Sequence, residues 1–465
     1  MGFIFYDVET TGLNASFDQI IQFAAIKTDS NFNEIDRFEI KSRLLPYVVP
    51  SPVAILINGI SVRQLTSPDL PSNYEMACKI YEQLSAWGPA IFIGHNSLTF
   101  DENFLRHCFY KNLHYPYLTN SNNNCRMDSL KLARAVNIFN PNSISVPLDE
   151  TGYQTFGLEP LAVANGLKNY IPHEALNDVE AVIHICKVIS QTAEDLWSDF
   201  IRFSKKSSVI DFVEDNTLFA LTEIIKGQNY IWPVAHIGQN PDYGAEMLVF
   251  DLCFDPEALF KLDDSQLFAN FDSFPKPVRG LRTNASPILS NYEDIPLANR
   301  PKNLGEPELQ RRGNFVARNE QFKQRLTHAY LATNTPFPTS PHVEAQLHDG
   351  FTKDPDKKKL NQFHAQNWEQ RSAILLGLED KRSKILGERL IYTEAPDILH
   401  PDAREKFDRA VAQRILSNGK SVPWLTLPEA ISEAEQLIST TQNSVLAELV
   451  VYLRARECHA RSLTN

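Results

Sequence analysis

Three short stretches carry residue types that could do chemistry together. The first, Asp7-Val8-Glu9-Thr10-Thr11-Gly12-Leu13, closes an apolar run. Residues two apart on a strand point to the same face, so Asp7 and Glu9 project side by side from a strand end. Carboxylates held that close repel unless a cation neutralises them, which makes the pair a candidate metal site. Two exposed acids at a strand-to-loop junction would be spelled the same way. The second stretch, Gly94-His95-Asn96-Ser97-Leu98-Thr99-Phe100-Asp101, leads from a buried run through a loop to an acid at a helix start. Asp101 is either a further carboxylate of the site or only the cap of that helix. In the third, Pro172-His173-Glu174-Ala175-Leu176-Asn177-Asp178, His173 falls on a loop and Asp178 on the first turn of a helix. Taken alone, His173 also reads as an ordinary surface residue.

These stretches need elements to bring them together. Apolar runs predict strands at 3–6, 20–26, 38–41 and 90–94, and helical spacing predicts helices at 74–87, 101–111, 127–136 and 158–166. Asn177 is a suitable cap for a helix over 178–192. Strands followed by alternating helices imply an α/β fold, a mixed sheet with helices packed on it. The character changes near residue 195. A helix-like start at 196–203 is followed by β-like runs at 209–212, 230–234 and 247–252, separated by Pro, Asn and Asp clusters. The proline-rich Pro336-Phe337-Pro338-Thr339-Ser340-Pro341 reads as a linker, and helical periodicity dominates beyond it, at 403–416 and 427–455. The expected division is 1–193, α/β; 194–336, β-rich; and 338–465, all-α.

Composition narrows the class. The chain has 465 residues, 43% of them hydrophobic and 22% charged, enough for about three domains with real cores. No stretch approaches the roughly 20 apolar residues that cross a bilayer, and the first residues lack the basic start of a signal peptide. Six scattered cysteines with no CxxC pair argue against a disulfide framework or zinc ribbon and predict a reducing, cytoplasmic setting. The net charge of −12 conceals a gradient, from −9 over residues 1–200 to +6 over residues 275–389. A polyanion responds to the local field within about 10 Å rather than to the sum, although a mixed-charge acidic surface gives the same numbers.

The order Asp-x-Glu, Asp, His-x4-Asp resembles the DEDDh 3′→5′ exonuclease superfamily. Within it, the chain is similar to bacterial exonuclease I. The likeness is carried by Gln22-Phe23-Ala24-Ala25-Ile26, Ile57-Asn58-Gly59-Ile60, Tyr115-Pro116-Tyr117, Ala164-Asn165-Gly166, Pro277-Val278-Arg279, the stretch from Val343 to Phe351, and Glu379-Asp380-Lys381-Arg382. The resemblance implies an RNase H-like exonuclease domain, an SH3-like β domain and a helical C-terminal domain that together enclose single-stranded DNA. It implies removal of 5′-mononucleotides from the 3′ end in DNA repair and recombination, by two-metal-ion hydrolysis. The alternatives are a related nuclease acting on RNA or as a proofreader, and a non-catalytic single-strand-binding protein.

By the same resemblance, Asp7, Glu9 and Asp178 hold the first of two Mg2+ ions, for which Mn2+ can substitute. Asp7 bridges to the second ion, Asp101 assists through water, and His173 takes a proton from the attacking water. Glu9, Arg106, Tyr117 and Arg134 are implied contacts to DNA. Lys206, Arg279, Arg282 and Gln346 are further candidates, for basic side chains and aromatic platforms are what hold single strands. Expected partners are single-stranded DNA and the C-terminal tail of single-stranded-DNA-binding protein, with no membrane and a monomeric chain. Three features depart from the family pattern. Thr11 follows Thr10 where Phe-Gly is usual, Gly157 stands where an Arg is usual, and the segment around 236–250 is shortened.

Overall fold

The computed structural model describes residues 2–168, 170, 172, 174–272, 274–333 and 338–464. Its first sheet contains β1 (Phe3–Thr10), β2 (Ile20–Thr28), β3 (Glu34–Lys41), β4 (Ile91–Gly94) and β5 (Cys125–Asp128) in the order β3-β2-β1-β4-β5. β1 runs antiparallel to β2 and parallel to β4, so the sheet is mixed, as its sequence predicts.

Strand alternation assigns each residue of β1 to a face. Phe3 and Phe5 join a core completed by the helix Ala175–Thr192, through Val179, Val182 and Ile185. Ile4, Tyr6 and Val8 enter the opposite core, with Ile80 and Leu84 of the helix Asn73–Trp87 and Phe104 and Leu105 of the helix Asp101–Lys111. Asp7 and Glu9 continue the Phe3–Phe5 face, the side that carries the helix with Asp178. β1 also outruns its parallel neighbour, because the β1–β4 pairing ends at Phe5–Ile93 while pairing to β2 continues past Glu9–Gln22. The end of β1 therefore opens into a crevice at the carboxyl ends of the parallel strands, a usual place for ligands in open α/β sheets.

A second sheet is antiparallel throughout. It comprises β6 (Phe219–Ile225), β7 (Gln228–Gln239), β8 (Glu246–Asp251), β9 (Val278–Arg282) and β10 (Ile288–Asn291), in the order β10-β6-β7-β8-β9. Helices Glu306–Arg318 and Glu320–Ala332 pack on one face through Leu309, Val316, Phe322 and Leu326. The helix Lys206–Asp215 covers the other. This region is thus α+β rather than simply β-rich. Beyond it the chain is helical, and two of its cores are shared with the first region. Leu360 and Phe363 pack with Tyr74 and Leu113, and Leu427, Leu446 and Leu449 pack with Ile21, Val49 and Ile55.

Four local expectations are corrected. The 209–212 run is helical, because Val209, Phe212 and Val213 are the buried positions, a helical spacing rather than an alternation. The stretch 127–136 splits into β5 and the helix Ser129–Phe139, with Asp128 accepting the Leu130 N–H at 3.0 Å as the cap. The helix bearing Asp178 begins at Ala175, and Asn177 donates to Glu174 instead of capping. The stretch 427–455 is two helices, Leu427–Thr441 and Ser444–Thr464, broken where Gln442 adopts φ 50°. Of the expected linker, Pro336 and Phe337 lie outside the described residues.

Close packing of the second sheet's cover gives a test. A Cβ on Gly313 would stand 2.3 Å from the Thr217 carbonyl oxygen, a backbone atom that cannot swing away. Gly313→Ala should destabilise the protein by about 1–3 kcal/mol in chemical denaturation, despite the better helix propensity of alanine. Unchanged or increased stability would contradict this packing.

Candidate active site

The acidic site grows from the strand end. Asp7 and Glu9 leave β1 on one face, and the helix Ala175–Thr192 crosses that face with Asp178 on its first turn. The carboxylate oxygens of Asp7, Glu9 and Asp178 lie within 4.8 Å of one another. Asp101 arrives from the other side of β1, at the start of the helix Asp101–Lys111. It is 3% exposed, and its Oδ1 accepts the Val8 N–H at 3.1 Å, which ties the helix to β1 between the two acids. The Tyr170 hydroxyl donates to Asp178 Oδ1. His173 lies outside the described residues.

Electrostatics follow from this crowding. Burial, then the charges of Asp101, Asp178 and Glu9, push the Asp7 carboxyl well above the usual carboxylate range. Burial together with Asp178 and Asp101 pushes Glu9 up to about 8, against a small pull from Lys41. Burial lifts Asp101 to about 7, although backbone N–H groups, that of Val8 included, pull it back. Clustered acids that resist ionisation are stabilised by a cation among them. Oxygen donors alone, with no sulfur or imidazole in the trio, fit a hard divalent ion of the Mg2+ or Mn2+ class.

A second trio of metal-type donors, Cys78, His114 and His364, bridges the first region and the C-terminal helices. Its imidazoles are stacked 3.8 Å apart at an interplanar angle of 6°. Parallel rings at that spacing cannot aim in-plane lone pairs at one ion, so this trio is packing. Tyr74 and the Leu113 carbonyl hydrogen-bond the two nitrogens of His364.

The expected strand contacts separate into two groups. Arg106 lies over the Tyr117 ring at 5.1 Å, and the Tyr117 hydroxyl meets His348 Nδ1 of the C-terminal region at 3.3 Å. Arg282 is exposed on β9, and its charge and that of Arg106 both act on His348. Phe351, 79% exposed, stands 5.9 Å from Tyr117. Arg106, Tyr117 and Arg282 therefore gather from two regions against His348 and Phe351 from the third. Arg134 donates to the Gly227 carbonyl at 2.7 Å while lying over Phe156. Lys206 donates to the Gly244 carbonyl at 2.9 Å, and Gln346 to the Ser340 carbonyl at 2.6 Å. Arg279 is a correction. It is 8% exposed, paired with Glu223 at 3.0 Å and stacked on Trp232 at 3.4 Å, so its charge is committed inside the second sheet.

Sequence reasoning missed Asp128. Its carboxylate accepts the N–H groups of Asn96 and Leu98 and so shapes the loop leading to Asp101. It also missed Tyr170 and Glu102; the only signal for Glu102 was a second acid beside Asp101, which reads as a favourable helix-start charge.

Comparison with known proteins matches two stretches of the chain and its fold. The exonuclease family model covers residues 4–186, and the exonuclease I C-terminal domain model covers residues 341–456. An exonuclease stretch and an exonuclease I C-terminal stretch are thus joined in this one chain. Exodeoxyribonuclease I of Escherichia coli K12 is 27% identical over 378 residues, 77% of this chain and 78% of the relative. Exonuclease I of E. coli in complex with a dA16 oligonucleotide superposes with a TM-score of 0.83 at 23% identity, over 99% of both chains. The crystal structure described as SSB/exonuclease I in complex with inhibitor CFAM gives 0.81 at 22% identity, again over 99% of both. An exonuclease I likeness that extends through the middle region places all three regions within one shared fold.

The raised carboxyls make a pH prediction. Glu9 and Asp101 titrate near 8 and 7 when folded and near 4 when unfolded, so the folded chain holds more protons in between. The metal-free protein should lose stability as pH rises through that window, and Mg2+, which needs the ionised acids, should restore it. The melting midpoint should therefore rise more on replacing EDTA with Mg2+ at about pH 8.5 than at about pH 6. Equal shifts would contradict the clustered site.

Proposed function

We propose that this chain is a 3′→5′ exonuclease that degrades single-stranded DNA to 5′-mononucleotides, in repair and recombination. The observation that carries the reading is the convergence of Asp7, Glu9 and Asp178 within one ion's reach, in a chain that joins an exonuclease stretch to an exonuclease I C-terminal stretch. On this reading Asp7, Glu9 and Asp178 would hold Mg2+, with Mn2+ able to substitute, and Asp7 would also serve as a ligand for a second ion. Bound divalent ions would activate water and stabilise charge on the attacking and leaving oxygens of a phosphodiester. Asp101 orients the site's water from the opposite side of β1. His173, as a histidine, is the residue type suited to a general base at neutral pH and would accept the proton of the attacking water.

The remaining chain grips the substrate. Our division is an exonuclease domain at 1–193, an SH3-like domain at 194–336 built on the second sheet, and a C-terminal domain at 338–465. Arg106, Arg282 and Arg134 supply charge for phosphates, and Tyr117 with Phe351 supplies faces for stacked bases. A strand enclosed by three regions stays bound between cuts. The chain acts as a monomer in the cytoplasm, and the tail of single-stranded-DNA-binding protein is its expected protein partner.

Labelled single-stranded DNA, duplex DNA and RNA, each with Mg2+ or EDTA, test the reading. Cleavage should require the metal and favour single-stranded DNA. Activity in EDTA would exclude the mechanism, and a preference for RNA would move the assignment to another branch of the superfamily. Asp178→Ala should abolish cleavage while single-strand binding stays measurable, and His173→Ala should slow turnover by roughly 10²-fold or more. Binding should weaken steeply with salt, because displaced counterions drive it; a flat response would count against the basic grip.

A further inference from the structure

The residue after Asp101 is ionic and almost wholly buried. Glu102 is 1% exposed, and its carboxylate gathers four side chains. Arg106 Nε donates at 2.7 Å, Arg126 Nη1 at 2.9 Å, the Thr119 hydroxyl at 2.6 Å and the Tyr6 hydroxyl at 3.4 Å. The helix Asp101–Lys111 that Glu102 shares with Asp101 has no side-chain cap at Phe100, so the bonds to Arg126, Thr119 and Tyr6, from outside the helix, anchor its first turn. Neither arginine has another acid within ion-pair distance among the described residues. Arg106 Nη2 and Arg126 Nε, both buried, have no hydrogen-bond partner there, so Glu102 is their shared anchor.

The contacts continue into the second sheet. Arg126 Nη2 donates to the Asn284 carbonyl at 2.7 Å, and Lys131 Nζ to the Ala285 carbonyl at 3.1 Å. Both carbonyls sit on the turn between β9 and β10. One carboxylate thus touches, through single side chains, the turn that bears Asp101, the guanidinium over Tyr117 and the loop by which the middle region seats on the first. A shift of that loop reaches Glu102 through Arg126 and reaches both other groups through Glu102.

We infer that Glu102 is a positioning residue that couples seating of the 283–287 loop to the placement of Asp101 and Arg106. The inference rests on the nuclease reading for its catalytic consequence, but the seating itself can be read without cleavage. Glu102→Gln keeps the shape and removes the charge, and Arg126→Met cuts the link to the loop. In the full chain, Glu102→Gln should lower kcat by about 10- to 100-fold, the usual effect of losing a partner that orients a site, and should raise KM as Arg106 loses its anchor. Arg126→Met should lower kcat with less change in KM. The double variant should be no slower than Glu102→Gln, because both remove one pathway. Glu102→Asp should recover part of the loss.

Hydrogen exchange at 280–287 is the independent reading. Glu102→Gln should raise it although Glu102 has no hydrogen bond or ion pair to that loop. Unchanged exchange in a folded variant overturns the coupling whatever the activity. Strictly additive losses in the double variant also overturn it. If Glu102→Gln does not fold, the Arg126→Met kcat decides: a wild-type value refutes the link. An inactive wild-type chain would sink the nuclease reading and leave the exchange result to judge the seating.

Discussion

Repulsion among acids is the constraint around which the rest is arranged. Four carboxylates reach one strand end from three elements, and the charges of Asp101 and Asp178 raise the cost of ionising Asp7 and Glu9. Such a cluster persists only if rigid packing holds its members in place. The packing is present on both faces of β1. Phe3 and Phe5 are locked under the helix that brings Asp178, and Ile4, Tyr6 and Val8 under the helix that brings Asp101. Because β4 stops at Ile93 in its pairing with β1, the acids project past the paired strands and cluster, largely buried, at the end of β1. A divalent ion would offset that repulsion, which is the physical basis for tying metal affinity, pH and stability together.

Charge in this protein must be read by location. The positive balance of residues 275–389 suggests a basic surface, yet much of it is internally matched. Arg279 serves Glu223, Arg311 and Arg312 serve Glu308, and Arg382 serves Asp380. Arg389 joins Arg414 on the buried Glu344. Arg282, by contrast, has no ion pair among the described residues and acts on His348 together with Arg106, which is itself paired to Glu102 and lies over Tyr117. These side chains lie where three regions meet, so the proposed grip would depend on how the regions seat. Glu102, reached by both Arg106 and Arg126, is where the two join.

Secondary structure was readable wherever local pattern and tertiary demand agreed. The helix at 101–111 and the strand at 91–94 follow from apolar spacing alone. Misreadings occurred where both patterns fit. Val209 and Ile210 are β-branched and look strand-like, but packing of Val209, Phe212 and Val213 against Phe203 and Phe219 selects a helix. A single break at Gln442 turns one long helical pattern into two helices that fold back on each other.

The amino-acid order alone determined the kind of chemistry. Acids two apart on a strand, an acid opening one helix and another on the first turn of a second are local facts, and so are the donor types that suit a hard cation. Convergence was decided by the folded chain. The bond from Val8 to Asp101 spans 93 positions, and that from Arg126 to Asn284 spans 158. No periodicity of 2 or 3.6 residues carries information over such separations. For the same reason Arg279 looked available and is buried, and Glu102 looked like a helix-start charge and is a hub. Which arginine stays free depends on which acid the tertiary fold brings beside it.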